Sequence, residues 1–260
     1  VAMSFTFQST RNILCELGGA RKVGELLHKI LGGKQKSVML VTDKGIRKSQ
    51  LDLSCIQGIQ AQGFNVEVYA DVVADPPENH IFEAVSLAKS KNVGAIIGFG
   101  GGSSMDVAKL VAFLAHDSCS QNLSDLYGVD NCRSERLPLI QVPTTAGTGS
   151  EVTPISIVTT GQSSKKGVVS SQLLPDWAVL DGELTMSVPA HVTAATGVDA
   201  MVHAIEAYTS KLKKNPLSDM FACEALRLLG SNIRTVVADG SNGRARRCVL
   251  NVNLAESFVV

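Results

Sequence analysis

The chain has 260 residues, enough for one large domain or two ordinary domains with a sizeable hydrophobic core. Its 24 Lys and Arg residues balance its 24 Asp and Glu residues, so no net field draws it to nucleic acid or to an acidic membrane. No apolar run approaches the roughly 18 residues that a membrane-spanning helix needs. Residues 1–5 lack the basic and apolar regions of a secretory signal. The composition therefore predicts neither a nucleic-acid partner nor a membrane partner.

The cysteine pattern bears on the compartment. The six cysteines form no CxxC pair and have no zinc-like spacing. Scattered thiols of this kind are typical of proteins in a reducing environment. We therefore expect a cytoplasmic protein, with the mitochondrial matrix as the alternative.

Alternating strands and helices are predicted in the first half of the chain. Residues 38–42 form an apolar run that ends at Asp43 and is typical of a strand in a parallel sheet. Helical spacing follows over 48–62, and a second strand is predicted at 64–69. The turn at 75–77 contains two prolines and starts another helix, because proline is tolerated in a first helical turn. This alternation predicts βαβ units and a Rossmann-like parallel sheet.

A glycine-rich turn follows the apolar run 94–98, which is predicted to be a buried strand, and precedes a helical pattern that begins near residue 107. The residues of the turn are Gly100, Gly101, Gly102 and Ser103. Glycines at this place let backbone N–H groups approach a phosphate, and the helix N-terminus behind them adds a partial positive charge. We expect Ser103 to cap that helix and Asp106 to suit its first turn. The segment is interpreted as a phosphate-binding turn, with a tight turn that binds no ligand as the alternative.

Asp43 lies at the carboxyl end of the first predicted strand, where open α/β sheets bind their ligands. A carboxylate there can accept hydrogen bonds from a ribose diol and would repel a 2′-phosphate, which favours NAD over NADP. The alternative is an ordinary aspartate that begins the turn 43–45. No GxGxxG follows this strand, so a nucleotide site must be assembled differently from a standard Rossmann turn.

A second loop of small residues lies between predicted strands at 139–142 and 155–158. Thr144, Thr145 and Thr148 offer hydroxyl groups at what should be the same edge of the sheet. They could donate hydrogen bonds to a phosphate, an amide or a ribose of a cofactor. A plain connection without a ligand is the alternative.

Two lysines and a last short strand complete this part of the chain. Lys165 and Lys166 precede the turn 174–177, and a strand is predicted at 178–180. Either ammonium group could reach a ribose or a phosphate. Paired lysines are, however, usually solvated surface residues.

After Pro189 the pattern is helical, and we place the boundary between an α/β half and an α half near residue 185. Asp199 and His203 are four positions apart, so on a helix they share one face and can converge on one cation. Neutral imidazole with a carboxylate suits Fe²⁺ or Zn²⁺. The alternative is a solvated contact on the helix surface. A separate apolar stripe on this helix is predicted to pack against the protein: Val198, Val202, Ile205 and Tyr208.

Taken together, these motifs resemble the iron-dependent (group III) alcohol dehydrogenases, within the dehydroquinate synthase-like fold. Four segments in the family's order carry the likeness: 100–109, 143–151, 174–181 and 189–208. The resemblance implies an α/β protein. Its Rossmann-like parallel-sheet domain would span 1–185, and an incomplete all-helical domain would span 186–260.

The resemblance also implies an activity, namely reversible hydride transfer between a primary or secondary alcohol and NAD. It makes Asp43 the NAD-selecting acid. Its other implied cofactor contacts are Gly100, Gly101, Gly102, Ser103, Thr144, Thr145, Thr148 and Lys166. Asp199 and His203 match the first two of the family's four ligands to Fe²⁺, with Zn²⁺ as the alternative metal. The implied partners are a small alcohol or aldehyde and, in the full-length form, further copies of the chain.

One departure from the family concerns the metal. The family supplies two further histidines downstream, whereas this sequence has no histidine after His203. We interpret the chain as a C-terminally truncated member, whose activity in this form is in question. The alternatives are an NAD-binding fragment without catalysis, or a sibling enzyme such as a glycerol dehydrogenase or a hydroxyacid–oxoacid transhydrogenase.

Overall fold

A computed structural model describes residues 4–33, 36–161, 163–211 and 214–246. Strands alternate with helices up to residue 180, except where β6 follows β5 and β8 follows β7 directly. The strands are β1 (Asn12–Cys15), β2 (Ser37–Asp43), β3 (Asn65–Val72), β4 (Ile96–Gly100), β5 (Gly128–Val129), β6 (Leu139–Pro143), β7 (Ile155–Thr160), β8 (Ser164–Val169) and β9 (Trp177–Leu180). The α-helices are α1 (Val23–Leu31), α2 (Lys44–Ser49), α3 (Leu53–Ala61), α4 (Glu78–Ser90), α5 (Gly102–Leu114), α6 (Leu123–Leu126), α7 (Ala190–Thr209) and α8 (Pro216–Ala238). Short 3-10 helices are Gly19–Lys22, Ser150–Val152, Ser171–Leu173 and Gly182–Thr185.

The main sheet has six parallel strands in the order β1-β9-β6-β4-β2-β3. The chain runs from β2 outward to β3, then returns across β2 to β4 and continues in the other direction. The strand order therefore reverses between β2 and β4. In open α/β sheets this topological switch point is where ligands bind, outside the carboxyl ends of the strands.

The central strands are apolar because both faces of the sheet are covered by helices. Along β2, Val38 and Leu40 join a cluster with residues of α1 and α3. The alternating residues Met39 and Val41 join a second cluster with residues of α4 and α5. The predicted α/β class and parallel sheet are confirmed.

Several predicted elements differ in detail. The helix predicted over 48–62 is two helices, because Gln50 adopts a left-handed backbone conformation (φ 59°) and ends α2. The predicted strand at 155–158 is β7, which pairs with β8 and not with the main sheet. A three-stranded sheet, β5-β8-β7, thus stands beside the parallel one.

The last two long helices pack against each other through small side chains. Ala200 and Ala204 of α7 meet Ala222 and Ala225 of α8 in one buried cluster. Asn215 begins α8 by accepting hydrogen bonds from two backbone N–H groups, and Pro216 occupies its first turn. The predicted change to helices is confirmed, while the domain ranges 1–185 and 186–260 stay a prediction.

The apolar stripe predicted to pack on α7 does not do so among the described residues. Its members Val198, Val202, Ile205 and Tyr208 are 44–56% exposed. The alanine face is buried instead, because small side chains let α7 and α8 approach closely. In the part of the chain that the structure describes, no helix combines the length and apolarity needed to cross a membrane.

Candidate nucleotide and metal site

Asp43 lies at the switch point, at the carboxyl end of β2. Its Oδ1 atom accepts a hydrogen bond of 2.9 Å from the backbone N–H of Ile46 and thereby caps α2. Its Oδ2 atom lies 3.7 Å from the position that a Cβ atom on Gly100 would occupy. Asp43 therefore begins a turn and also faces the glycine turn, so the two interpretations from the sequence are compatible.

The glycine turn joins β4 to α5 with open backbone amides. Gly100 ends β4 at φ 148°, and a Cβ atom there would lie 2.7 Å from Ser104 Oγ, so this position requires glycine. Gly101 is the residue that precedes α5. The first four N–H groups of a helix have no acceptor within it, so the amides of residues 101–104 are available to a ligand.

The prediction that Ser103 caps this helix is wrong. The N-cap is Gly101, whose backbone is extended, and no side chain makes a capping hydrogen bond there. Ser103 is the second residue of α5 and has already entered the helix. What it offers at this site is its backbone N–H group.

The threonine loop, residues 144–149, begins against the glycine turn. The backbone N–H of Thr144 donates to the carbonyl of Gly100 at 2.9 Å. Thr145 Oγ1 lies 3.6 Å from the position of a Cβ atom on Gly101. The structure therefore brings together these two segments, which are about forty residues apart in sequence.

The same loop also contacts α7. A Cβ atom on Gly102 would lie 3.0 Å from Thr148, and one on Gly147 would lie 2.7 Å from the backbone carbonyl oxygen of Thr196. Thr196 precedes Asp199 by about one helical turn. The threonine loop thus connects the glycine turn to the helix that carries the predicted metal ligands.

A buried polar network lies behind the loop, and sequence reasoning missed it. The prediction that Asp106 lies in the first turn of α5 is wrong, because the helix begins at Gly102. Asp106 Oδ1 accepts a hydrogen bond from Ser150 Oγ at 2.6 Å, and its Oδ2 accepts one from Ile157 N at 3.0 Å. Lys109 is fully buried, with its ammonium group 3.7 Å from Asp106 Oδ1. An aspartate and a lysine one turn apart in an otherwise apolar helix were the available signal.

Burial shifts the protonation of both groups in this network. It raises the pKa of the Asp106 carboxyl, against the opposing effect of the nearby Lys109 charge. It lowers the pKa of Lys109 to about 8, with Asp106 and Glu151 opposing the shift.

Lys166 lies on β8, in the smaller sheet. Its Nζ atom is 5.0 Å from the centroid of the Tyr127 ring, and the Tyr127 hydroxyl donates to Glu78 at 2.6 Å. Lys165 forms an ion pair of 2.6 Å with Asp75. The structure thus places the two lysines near the start of α4, on a different element from the glycine turn and the threonine loop.

The predicted metal pair shares one face of α7, as its spacing indicates. Asp199 Oδ1 and His203 Nε2 are 3.8 Å apart, with the two side chains 50% and 30% exposed. Within the described ranges, no group of three or more His, Cys, Asp or Glu side chains could hold a metal. The pair has suitable donor chemistry for Fe²⁺ or Zn²⁺, but catalytic sites usually have three protein ligands.

Family comparison covers most of the chain. The model of the family "Iron-containing alcohol dehydrogenase" matches residues 10–182. That of "Fe-containing alcohol dehydrogenase family, C-terminal" matches residues 193–256. The first match spans the parallel sheet, and the second begins near the start of α7.

Two curated relatives illustrate the similarity. Long-chain-alcohol dehydrogenase 1 of Geobacillus thermodenitrificans is 42% identical over 219 residues, which are 84% of this chain and 54% of the relative. Sulfoacetaldehyde reductase of Bilophila wadsworthia is 34% identical over 249 residues, 95% of this chain and 63% of the relative. The chain therefore spans less than two thirds of these relatives.

Solved structures share the fold. A 1,3-propanediol oxidoreductase superposes with a TM-score of 0.93 at 31% identity, over 99% of this chain and 66% of that one. Sulfoacetaldehyde reductase from Bifidobacterium kashiwanohense, solved with NAD⁺, gives a TM-score of 0.89 at 28% identity, over 99% and 67% of the two chains. The chain belongs to the iron-containing alcohol dehydrogenase family.

Proposed function

We propose that the protein catalyses reversible hydride transfer between an alcohol and NAD. The observation that carries this proposal is the set of open amides at the start of α5, packed against the threonine loop at the switch point of the sheet. That loop also contacts the helix of the Asp199 and His203 pair. A nucleotide bound at the turn would therefore point along the loop toward these two side chains.

The glycine turn would bind the cofactor diphosphate. Backbone N–H groups of Gly101, Gly102 and Ser103 would donate to phosphate oxygens at the positive end of the α5 dipole. Gly100 supports this assignment, because its φ of 148° and its closeness to Ser104 exclude a side chain at this point of the turn. Asp43 would accept hydrogen bonds from the adenosine ribose and disfavour a 2′-phosphate.

The threonines would position the rest of the cofactor. Thr144, Thr145 and Thr148 present short polar side chains next to the proposed diphosphate site. Lys166 would be a further cofactor contact, although its ammonium group lies over the Tyr127 ring in this structure. Its use would require the ammonium group to leave that ring.

Asp199 and His203 would hold part of the coordination shell of Fe²⁺ or Zn²⁺. Such a metal, when bound, acts as a Lewis acid toward an alcohol or carbonyl oxygen. The two side chains are partly exposed, so ligands from outside the described residues can complete the shell. On this chain, their role would be to place an imidazole and a carboxylate near the nicotinamide end of the bound cofactor.

A second candidate function is NAD binding without catalysis. The observation that favours it is the presence of only two adjacent metal donors in the part of the chain that the structure describes. Sibling activities also remain candidates, including those of a glycerol dehydrogenase or a hydroxyacid–oxoacid transhydrogenase. The relatives include sulfoacetaldehyde, methanol and choline enzymes, so the substrate class we propose is a small alcohol or aldehyde.

We further propose a reducing, cytoplasmic setting, supported by four described cysteines that form no disulfide: Cys55, Cys119, Cys132 and Cys223. The mitochondrial alternative finds no support in the fold or the comparisons. Assembly into a homo-oligomer is likewise a proposal.

The experiment has two arms. The first is a titration of the purified chain with NADH, followed by the fluorescence of the dihydronicotinamide. The second measures NAD reduction by short primary alcohols with Fe²⁺ or Zn²⁺ supplied. Binding with turnover supports the dehydrogenase, binding alone supports the non-catalytic alternative, and absence of binding contradicts both. Turnover between two substrates without added NAD would indicate a transhydrogenase.

A further inference from the structure

The side chain of Lys109 is fully buried in the middle of α5, and a buried charge needs compensation. Its ammonium group donates three hydrogen bonds: to Ser150 Oγ at 2.9 Å, to Thr153 Oγ1 at 3.3 Å and to the Ile155 carbonyl at 2.5 Å. An ammonium group has three donors, so each one has an acceptor. All three acceptors lie in the segment that directly follows the threonine loop.

Two further groups compensate the charge. Asp106 Oδ1, on the same helix, lies 3.7 Å from the ammonium group. Glu151, in the 3-10 helix after the loop, is also buried and acts electrostatically on Lys109. Asp106 and Glu151 are therefore the two titratable groups that act on Lys109, one from α5 and one from the 3-10 helix Ser150–Val152.

The threonine loop is consequently fixed to the glycine turn and α5 at both ends. At its start, the N–H of Thr144 donates to the Gly100 carbonyl at 2.9 Å. At its end, Ser150 is held by both Lys109 and Asp106. The Ser150 N–H in turn approaches Thr148 Oγ1 at 3.4 Å, which links this end to the residue packed on Gly102.

We propose that Lys109 is a positioning residue for the cofactor site, holding the end of the threonine loop so that Thr148 stays against the glycine turn. The inference rests on the proposed function, because it assigns the loop to NAD. Lys109 touches no cofactor in this assignment. It acts through Ser150 and the loop.

Deprotonation of Lys109 gives this role a measurable signature. A neutral amine has two N–H donors, so one of its three acceptors loses its hydrogen bond and the attraction to Asp106 and Glu151 is lost. Burial lowers the pKa of Lys109 to about 8. Loop order and NADH affinity should therefore fall as the pH rises through about 8.

The test compares two buried cations: Lys109, bonded to the segment that follows β6, and Arg136, in the segment that precedes β6. Lys109→Met removes the ammonium group and keeps a chain of similar length. Arg136→Met is the matched control, because Arg136 is also mostly buried and pairs with Asp176 at 2.7 Å, before the amino end of β6. Ser150→Ala is a milder variant that removes one acceptor. NADH affinity is measured between pH 6.5 and 9.5, which brackets the expected transition by about 1.5 units, and hydrogen exchange is followed for the amides of 145–149.

We expect Lys109→Met to weaken NADH binding about tenfold below pH 8 and to abolish its pH dependence. Exchange at 145–149 should accelerate in the same variant, while Arg136→Met lowers thermal stability and leaves both properties unchanged. Ser150→Ala should change both in the same direction by a smaller factor. If Lys109→Met does not fold, the pH profile of the parent and the Ser150→Ala result decide.

Parental affinity and parental exchange in Lys109→Met would overturn the proposal, as would a flat pH profile in the parent with unchanged binding in Ser150→Ala. A parent that binds no NADH would contradict the proposed function instead. In that case the exchange rates at 145–149 still show whether Lys109 holds the loop.

Discussion

Asp43 combines two roles in one carboxylate, and this governs how its charge should be tested. One oxygen caps α2 through Ile46, while the other faces the glycine turn. Asp43→Gly would remove the cap as well as the charge. Asp43→Asn keeps a side-chain oxygen that can cap the helix, so it isolates the charge.

We predict that Asp43→Asn raises NADPH affinity relative to NADH at least about tenfold, because the repulsion of a 2′-phosphate is lost. The measurement is a pair of fluorescence titrations with the two cofactors. Asp117→Asn is the control, since Asp117 is an exposed residue beyond the far end of α5. An unchanged ratio of the two dissociation constants would remove Asp43 from the cofactor site.

His203 offers a second test at the level of a single residue. We predict that His203→Ala loses retention of Zn²⁺ or Fe²⁺, because Asp199 alone leaves one donor of the pair. The metal content after gel filtration is measured by mass spectrometry. His191→Ala is the control, being an exposed histidine at the start of the same helix. Equal metal content in His203→Ala and the parent would count against this pair.

A functional residue can be identified from the sequence when its role depends on residues close to it in the chain. Asp43, the glycines and the Asp199–His203 pair stand out because a strand end, a turn and a helical spacing are local patterns. Lys109 does not, because its hydrogen-bond partners lie 41 to 46 residues away. The cap at Ser103 was predicted wrongly because glycine, which lacks a capping side chain, occupies the N-cap.

Among the elements, predictability follows burial. The strands β2, β4 and β6 are mostly apolar because both of their faces are covered, and each was predicted. The strands β1 and β8 were not predicted, since most of their side chains are exposed or half-buried and give no apolar run.

The faces of α7 show a second limit of prediction from sequence. Periodicity correctly identified an apolar stripe, but it cannot say which face meets a neighbour. Small residues pack α7 against α8, while the larger apolar residues are exposed.

This arrangement predicts opposite outcomes for two neighbouring positions of α7. Ala204 is fully buried, so Ala204→Leu should overpack the interface and lower the free energy of unfolding by about 1–3 kcal/mol. Ile205 is 50% exposed, so Ile205→Ala should cost less than about 1 kcal/mol. Urea unfolding of the two variants and the parent provides the comparison. A larger loss for Ile205→Ala would mean that the stripe is packed in solution.

Across the whole molecule, the contact between the threonine loop and α7 joins the proposed cofactor site to the helix that carries Asp199 and His203. A Cβ atom on Gly147 would lie 2.7 Å from a backbone oxygen of Thr196, so either the loop or the helix must move to admit one. We predict that Gly147→Ala weakens NADH binding at least about tenfold. Gly230→Ala is the control, because nothing lies within 4 Å of its added Cβ position on α8. Parental affinity in Gly147→Ala would show that this contact does not set the cofactor site.

The long-range arrangement is the part that no local pattern specifies. Strand order, the switch point between β2 and β4, and the double attachment of the threonine loop arise only when distant segments pack. The resemblance implied that the glycine turn and the threonine loop contact one cofactor, and the structure brings these two segments together.

The central claim is that backbone amides at the start of α5 hold the diphosphate of NAD. A crystal structure of the protein with NADH tests it most directly. We predict phosphate oxygens about 3 Å from the N–H groups of Gly102 and Ser103, with the nicotinamide directed along the threonine loop toward Asp199 and His203. A diphosphate bound away from the carboxyl ends of β2 and β4 would contradict the account.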